Sequence, residues 1–190
     1  MNLNFKKIRF FIFFLCLSLD ILCLNGQTNL KGNLAFVLVG IPNLGIETKL
    51  GSHTSFQIDI TASFWESVNH APQKFILLFP EFRYYTKEFG KGFFIGAHIG
   101  GGIYKLQKYN YWSTDFYQKG YNIMYGLTTG YQFLINEKWN LEIFVGGGSS
   151  QGFYKGYKIN TNERYDNRDK FNKSGEWILY RGGVMLVYKL

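Results

Sequence analysis

A two-residue alternation between bulky and small side chains is the strongest constraint that this sequence places on its fold. Within residues 92–104, Ile95 and Ile99 mark a bulky apolar face, whereas Gly96 and Gly100 mark a small one. A period of two residues is the geometry of a β-strand, because successive side chains of a strand point to opposite sides. The chain is therefore expected to form strands that have two very different faces.

The same alternation continues after residue 26 and predicts eight strands. We place them at 32–40, 43–50, 55–65, 74–85, 92–104, 119–134, 139–152 and 176–190. No window in this part of the sequence has a convincing helical period. Most of these segments are close to the roughly 9–11 residues that a tilted strand needs to cross a bilayer. An even number of strands also lets both ends of an up-and-down barrel lie on one side.

Side-chain size indicates which face of the predicted sheet points inward. The interior of an eight-stranded barrel is just wide enough to be filled by side chains. The bulky face of residues 119–134, which includes Tyr121 and Tyr125, would overfill such a lumen. The small and polar face must therefore point inward, and the bulky apolar face must point outward, where it needs lipid. These patterns predict an all-β fold, an eight-stranded antiparallel up-and-down transmembrane β-barrel.

Aromatic residues make up 19% of the chain and gather at the ends of the predicted strands. Those beside the longer connections are Phe64, Trp65, Phe75, Tyr104, Tyr121, Phe153 and Trp177. Those beside the short turns or the terminus are Tyr84, Phe93, Phe133, Trp139 and Tyr188. Two aromatic rings are typical of a membrane barrel, where they mark the two interfaces with water.

Short and long connections alternate along the chain. Residues 52–54, 86–91 and 135–138 form short connections, and residues 65–73, 105–118 and 153–175 form longer ones. Residues 41–42 break the scheme, since they form a short link where a long one is expected. Outer-membrane barrels have short periplasmic turns and longer external loops. We therefore expect the cell outer membrane as the location.

The first 26 residues have the layout of a secretory signal peptide. A basic start is followed by an apolar run from Phe10 to Leu24, which is short for a transmembrane anchor. We therefore predict a signal peptide at 1–26 and the barrel at 27–190. Both cysteines, Cys16 and Cys23, fall in the leader, so the mature chain would have no disulfide and no thiolate metal site.

Several charged side chains fall on the inward face of the predicted barrel. They are Glu47, Lys49, Asp59, Glu81, Arg83, His98, Glu142 and Arg181. Buried charges must be paired to be tolerable, so we interpret them as a structural salt-bridge network centred on Glu81 and Arg83. The alternative is a membrane-embedded hydrolase or acyltransferase in which His98 works with Glu81 or Glu142.

The sequence contains no Ser-His-acid arrangement, no multi-histidine metal spacing and no phosphate-binding loop. We therefore expect no catalytic residues, cofactor, metal or nucleic-acid partner. The polar segment 153–175 is a candidate surface for an extracellular or envelope partner, or for lipopolysaccharide phosphates. We expect outer-membrane lipid to surround the barrel.

Five ordered segments carry a family resemblance over essentially the whole mature chain. They are PNLGIE (42–47), PEFRYY (80–85), GFFIGAHIGGGIY (92–104), YGLTTGYQFLINEKWNLEIFVGGG (125–148) and the closing VMLVYKL. The chain resembles an uncharacterised family of small Bacteroidota outer-membrane β-barrels, domain of unknown function thirty-five seventy-five. The resemblance implies a small barrel with no established activity.

The carboxyl terminus resembles the signal that the barrel-assembly machinery reads, so this machinery is an expected partner. The matching positions are Arg181, Gly183, Leu186 and Tyr188, although Lys189 and Leu190 follow where a terminal aromatic is usual. We expect a structural or surface-interaction protein that is not an enzyme. The alternatives are a small pore or a carrier for an apolar ligand, the His98 hydrolase or acyltransferase, and last a soluble barrel of lipocalin type.

Overall fold

Eight antiparallel strands follow one another around a single sheet that closes on itself. The computed structural model describes residues 27–67, 70–108, 111–112, 114–166 and 170–190, so the predicted signal peptide at 1–26 lies outside the described residues. The strands are β1 (Thr28–Asn33), β2 (Asn43–Lys49), β3 (Thr54–Glu66), β4 (Pro72–Tyr85), β5 (Gly92–Leu106), β6 (Phe116–Leu134), β7 (Trp139–Lys158) and β8 (Asn172–Lys189). A short helix α1, Leu34–Leu38, joins β1 to β2. The predicted all-β, up-and-down, eight-stranded arrangement is confirmed.

Pairing between the first and last strands closes the ring. β1 pairs with β2 on one side and with β8 on the other, where Asn29 lies opposite Lys189 and Asn33 lies opposite Met185. The longest pairing joins β6 to β7, from Phe116 opposite Lys158 to Leu134 opposite Asn140. The wall of the barrel is therefore tallest at β6 and β7 and lowest at β1.

The first strand lies earlier than predicted. The expected strand at 32–40 is wrong, since β1 ends at Asn33 and residues 34–38 form α1. These residues are apolar at consecutive positions and lack the alternation of a strand, while the Asn33 side chain caps the helix by accepting a hydrogen bond from Ala35 N (3.1 Å). Among the described residues no helix is long and apolar enough to span a membrane.

The corrected position of β1 removes the exception in the pattern of connections. Residues 34–42 now join β1 to β2, and this longer connection lies at the rim where β3, β5 and β7 end. The opposite rim holds the short connections 50–53, 86–91 and 135–138. The chain therefore has one long-loop rim and one short-turn rim, and both chain ends of the ring lie at the short-turn rim.

The outer wall of the barrel is apolar. Large side chains exposed on it include Ile58, Ile60, Leu78, Phe82, Ile95, Ile99, Tyr125, Leu127, Ile143 and Val145. The inner face buries polar side chains, which include Asp59, Glu81, Arg83, His98, Thr128, Gln132, Asn140 and Glu142. The small and polar face of these strands therefore points inward and the bulky apolar face points outward, as side-chain size predicted. Tyr104 differs from the predicted aromatic ring, because it is buried on the inner face.

An apolar cluster fills the interior at the short-turn rim. It consists of Tyr85, Phe89, Phe94, Phe144, Met185 and Val187. Glycines make room beside it, since a Cβ on Gly130 would collide with the carbonyl of Ile143 and the ring of Phe94. The inner face is thus not uniformly small, and a few large rings close this end of the lumen.

Candidate functional site

Seven charged side chains from six strands meet inside the barrel, and we call them the lumen network. They are Lys31, Glu47, Asp59, Glu81, Arg83, Glu142 and Arg181. Each occupies an inward-facing position of its strand. All are buried except Arg181, which is half-buried. The alternation of each strand therefore delivers its charge to the same narrow space.

Glu142 is the centre of the half of the lumen network nearer the short turns. One of its oxygens accepts from Lys31 Nζ at 2.6 Å, and Arg83 Nη1 reaches both oxygens at 2.9 and 3.0 Å. Lys31 Nζ also lies 2.5 Å from Glu47 Oε2. Glu142 therefore links the first strand of the chain to the fourth.

Arg83 and Glu81 connect this half of the lumen network to the half nearer the long-loop rim. Arg83 Nε donates to Glu81 Oε1 at 2.7 Å, and Arg181 Nη1 donates to Glu81 Oε2 at 2.5 Å. Arg181 also donates to Asp59 through Nη2. The contacts form one continuous chain of alternating charges from Lys31 to Asp59.

Neutral groups complete the coordination of the carboxylates. The hydroxyls of Ser55 and Tyr85 donate to Glu47 Oε1 at 2.5 and 2.7 Å. The guanidinium of Arg83 lies over the Phe94 ring at 4.2 Å. The lumen network contains four carboxylates and three cations, so it would carry one net negative charge if all were ionised. The hydroxyl donors of Ser55 and Tyr85 stabilise this excess negative charge at Glu47.

Six of the eight lumen residues expected from the sequence belong to the lumen network. They are Glu47, Asp59, Glu81, Arg83, Glu142 and Arg181. Lys49 does not join them, because it is the last residue of β2 and is exposed. Lys31 takes the place of the missing cation and was not expected, because the predicted first strand began after it.

His98 is buried on the same inner face but makes different contacts. Its Nδ1 lies 2.9 Å from the Thr128 hydroxyl, and its Nε2 lies 2.6 Å from the Tyr180 hydroxyl. Glu81 is directly opposite His98 in the sheet, yet its two oxygens bind Arg83 and Arg181. The carboxylates expected to orient a catalytic imidazole are thus engaged by cations.

The free space described beside the lumen network is small. A cavity of about 30 Å³ lies next to Asp59, Phe79 and Arg181. Arg181 also stacks against aromatic rings, with Phe79 at 4.7 Å and Phe144 at 5.6 Å. Within the described ranges, no group of three or more His, Cys, Asp or Glu residues could hold a metal ion. The arrangement is suited to filling the lumen.

The residues expected to form the assembly signal are spread over both faces of β8. Met185 and Val187 are buried, which sets Arg181 and Gly183 on the inner face and Leu186 and Tyr188 on the outer one. Tyr188 packs against Trp139 at 4.8 Å between ring centroids. Leu186 and Tyr188 are therefore presented on the outer wall, whereas Arg181 is engaged in the lumen network.

The segment predicted as a loop at 153–175 is partly strand, since β7 runs to Lys158 and β8 begins at Asn172. Asp166 holds the remaining connection, because it accepts from Gly156 N at 2.8 Å and from Asn172 Nδ2 at 2.7 Å. Partial burial by itself raises the pKa of Asp166, but these hydrogen bonds and Arg164 outweigh it and hold the pKa below its usual 3.8. The described part of this connection is therefore ordered by an ionised carboxylate.

One family model matches this chain. It covers residues 10–190, and its description is "Protein of unknown function (DUF3575)". No curated protein and no solved structure matches the chain. The match spans all eight strands and every residue of the lumen network.

Proposed function

The chain belongs to this family of unknown function, and we propose that it is a small outer-membrane β-barrel whose lumen is plugged by the lumen network. Its role is structural or surface-interacting and does not involve catalysis. The outer membrane and the leader at 1–26 belong to this proposal, as does delivery by the barrel-assembly machinery.

The reversed polarity of the barrel is the observation that carries the proposal. Charged side chains such as Arg83 and Glu142 are fully buried, whereas Ile99 and Leu127 are 65% and 59% exposed. Soluble monomers rarely expose a continuous apolar belt of this kind. Lipid supports such a belt, and a closed ring leaves no sheet edge unpaired in the hydrocarbon.

The contacts of the lumen network favour a plug over a pore or an active site. Each acidic member binds a cation, and the network crosses the lumen from β1 to β4 and on to β8. An aqueous channel needs a continuous wet path, and a hydrolase needs a base that is free to take a proton. Any interaction with a partner would therefore take place at the outer wall or at the long-loop rim.

Membrane insertion is tested by cell fractionation combined with a gel-mobility shift on heating. The full chain is expected in the outer-membrane fraction, with faster migration before boiling than after it. A soluble periplasmic pool that shows no heat shift would contradict the proposal.

A matched pair of variants on the outer wall sharpens this test. Ile99→Arg lies in the middle of β5 and is expected to cost roughly 2–4 kcal/mol of folding free energy in a bilayer. Phe133→Arg lies on the same exposed wall beside the short-turn rim, where the expected cost is about 0–1 kcal/mol. Equal effects of the two variants would indicate that depth in a membrane does not matter.

A further inference from the structure

Four lysines stand side by side across four neighbouring strands near the long-loop rim. Lys74 of β4 is directly opposite Lys105 of β5, Lys105 is opposite Lys119 of β6, and Lys119 is opposite Lys155 of β7. We call them the lysine row. Residues that are directly opposite in antiparallel strands share one face of the sheet.

The lysine row lies on the outer wall of the barrel. Lys105 shares the parity of Ile103, and Lys119 shares the parity of Tyr121, and both of these neighbours are exposed. Neighbouring strands are spaced by about 4.8 Å, so three spacings place the backbone positions of the four lysines within roughly 15 Å. Like charges directly opposite one another destabilise a sheet. A row of four therefore calls for an anion.

The protein itself supplies little negative charge to this row. Lys74 pairs with Glu66 at 2.7 Å in an exposed contact, while Lys105 lies over the Tyr117 ring at 4.8 Å and Lys155 over the Phe171 ring at 5.0 Å. Among the residues that the structure describes, no carboxylate forms an ion pair with Lys105, Lys119 or Lys155. Most of the positive charge of the row is thus directed outward.

Apolar side chains border the lysine row on the side toward the middle of the wall. The next outward-facing positions on the same four strands are Ile76, Ile103, Tyr121 and Phe153, which are also directly opposite one another. Phe64 lies opposite Lys74 at one end of the row, and Phe171 contacts Lys155 at the other. The lysine row and these apolar residues, with the exception of Phe153, line an open groove of about 580 Å³.

From this arrangement we propose that the groove binds a lipid with a phosphate-bearing headgroup, its phosphates on the lysine row and an acyl chain on the apolar positions. The inference rests on the proposed membrane location. It adds a defined lipid site, with the charged part at the long-loop rim and the acyl chain directed toward the middle of the bilayer. Basic side chains at a membrane surface attract anionic headgroups, and a fixed row of them adds geometric selection.

The test uses the full chain reconstituted in phosphatidylcholine vesicles that contain a minor fraction of bisphosphorylated lipid A. Lipid retained by the protein after release from the vesicles is counted by native mass spectrometry. The variant replaces Lys74, Lys105, Lys119 and Lys155 by Gln. The control replaces four lysines at the short-turn rim by Gln, namely Lys49, Lys87, Lys91 and Lys138. Like the lysine row, this set includes one lysine in an exposed ion pair, Lys91 with Glu88.

The wild type and the control are expected to retain lipid A, and the row variant is expected to retain at least about tenfold less. Dephosphorylated lipid A should bind the wild type as weakly as the row variant binds the intact lipid. Equal retention by the variant and the wild type would overturn the site. So would full displacement by inorganic phosphate, because the acyl chain would then contribute nothing.

The heat shift of each sample separates the two proposals. A wild type that inserts and shows the shift but retains no lipid A overturns the lipid site alone. A wild type that fails to insert overturns the membrane location and the lipid site with it.

Discussion

Glu142 shows what a single buried charge does in this protein. It accepts from Lys31 and Arg83, and its side chain is fully buried. Removing charges from water is costly, so a buried ion pair is weak evidence for high stability. Breaking one is different, because the partners left behind are buried without compensation. The lumen network therefore specifies one arrangement of strands more than it strengthens the fold.

Glu142→Gln is expected to destabilise the barrel by about 3–5 kcal/mol, since two buried cations lose their shared carboxylate. Urea unfolding in detergent or vesicles, followed by loss of the heat shift, measures this change. Glu137→Gln in the exposed 135–138 turn is the control and should stay within about 0.5 kcal/mol of the wild type. Equal midpoints for the two variants would contradict a structural role for the lumen network.

Most of the lumen network could be predicted from the sequence because strand parity and the need to pair buried charges both pointed to the same side chains. Arg83 and Glu81 are two residues apart on one face, and they are in contact at 2.7 Å. Lys49 was misplaced because parity gives a face but not the height of the barrel wall. The contact of His98 with Tyr180 was missed, since a side-chain contact between the unpaired strands β5 and β8 leaves no local pattern in the sequence.

The boundaries of a strand were predicted best where its two faces differ most in side-chain size. The boundaries predicted for β3 and β5 were close, because bulky and small positions alternate clearly there. β1 was displaced because its sequence, TNLKGN, is polar and short, whereas the following Leu34–Leu38 is apolar and resembles a buried strand. β6, β7 and β8 extend into the predicted loops, because their outer segments are polar and lack the alternation of apolar and small residues that marked a strand in the sequence.

β1 has only six residues, and Lys31 ties it to the neighbouring strand β2 through Glu47 and to β7 through Glu142. Lys31→Met is expected to raise amide exchange in Thr28–Asn33 by at least tenfold, since Glu47 and Glu142 lose a cation and repel each other. Hydrogen–deuterium exchange with mass spectrometry measures this rate.

Lys49→Met on the neighbouring strand serves as the control, because Lys49 is exposed at the end of β2. Its exchange in Thr28–Asn33 should match that of the wild type. If Lys31→Met also left exchange in β1 unchanged, the backbone pairing alone would hold the strand.

The whole molecule is a closed cylinder that buries the lumen network and exposes a largely apolar outer wall. The interior is closed at the short-turn rim by the apolar cluster and across the middle by the lumen network. The outer wall carries the lysine row at one rim only. The molecule is therefore polarised along its axis, although its fold is a simple meander.

In a planar lipid bilayer the wild type is expected to show no single-channel conductance, because the lumen network occupies the path of an ion. A combined variant, Arg83→Ser and Glu142→Ser with Phe94→Ala and Met185→Ala, removes one charge of each sign from the lumen network and also opens the apolar cluster at the short-turn rim. It should retain the heat shift and show conductance steps. Steps from the wild type, or silence from the correctly folded combined variant, would contradict a lumen plugged by these side chains.

The lumen network can form completely only after the barrel has closed. Its members come from the first strand, the last strand and four between them, while β1 and β8 meet over only five paired positions. Lys31 can reach Glu142 only after the two ends of the chain have come together. A partly assembled ring would therefore carry uncompensated charge at its open seam, where hydrocarbon would reject it. If the protein inserts into a membrane as proposed, closure of the ring is therefore expected to precede its entry into the hydrocarbon.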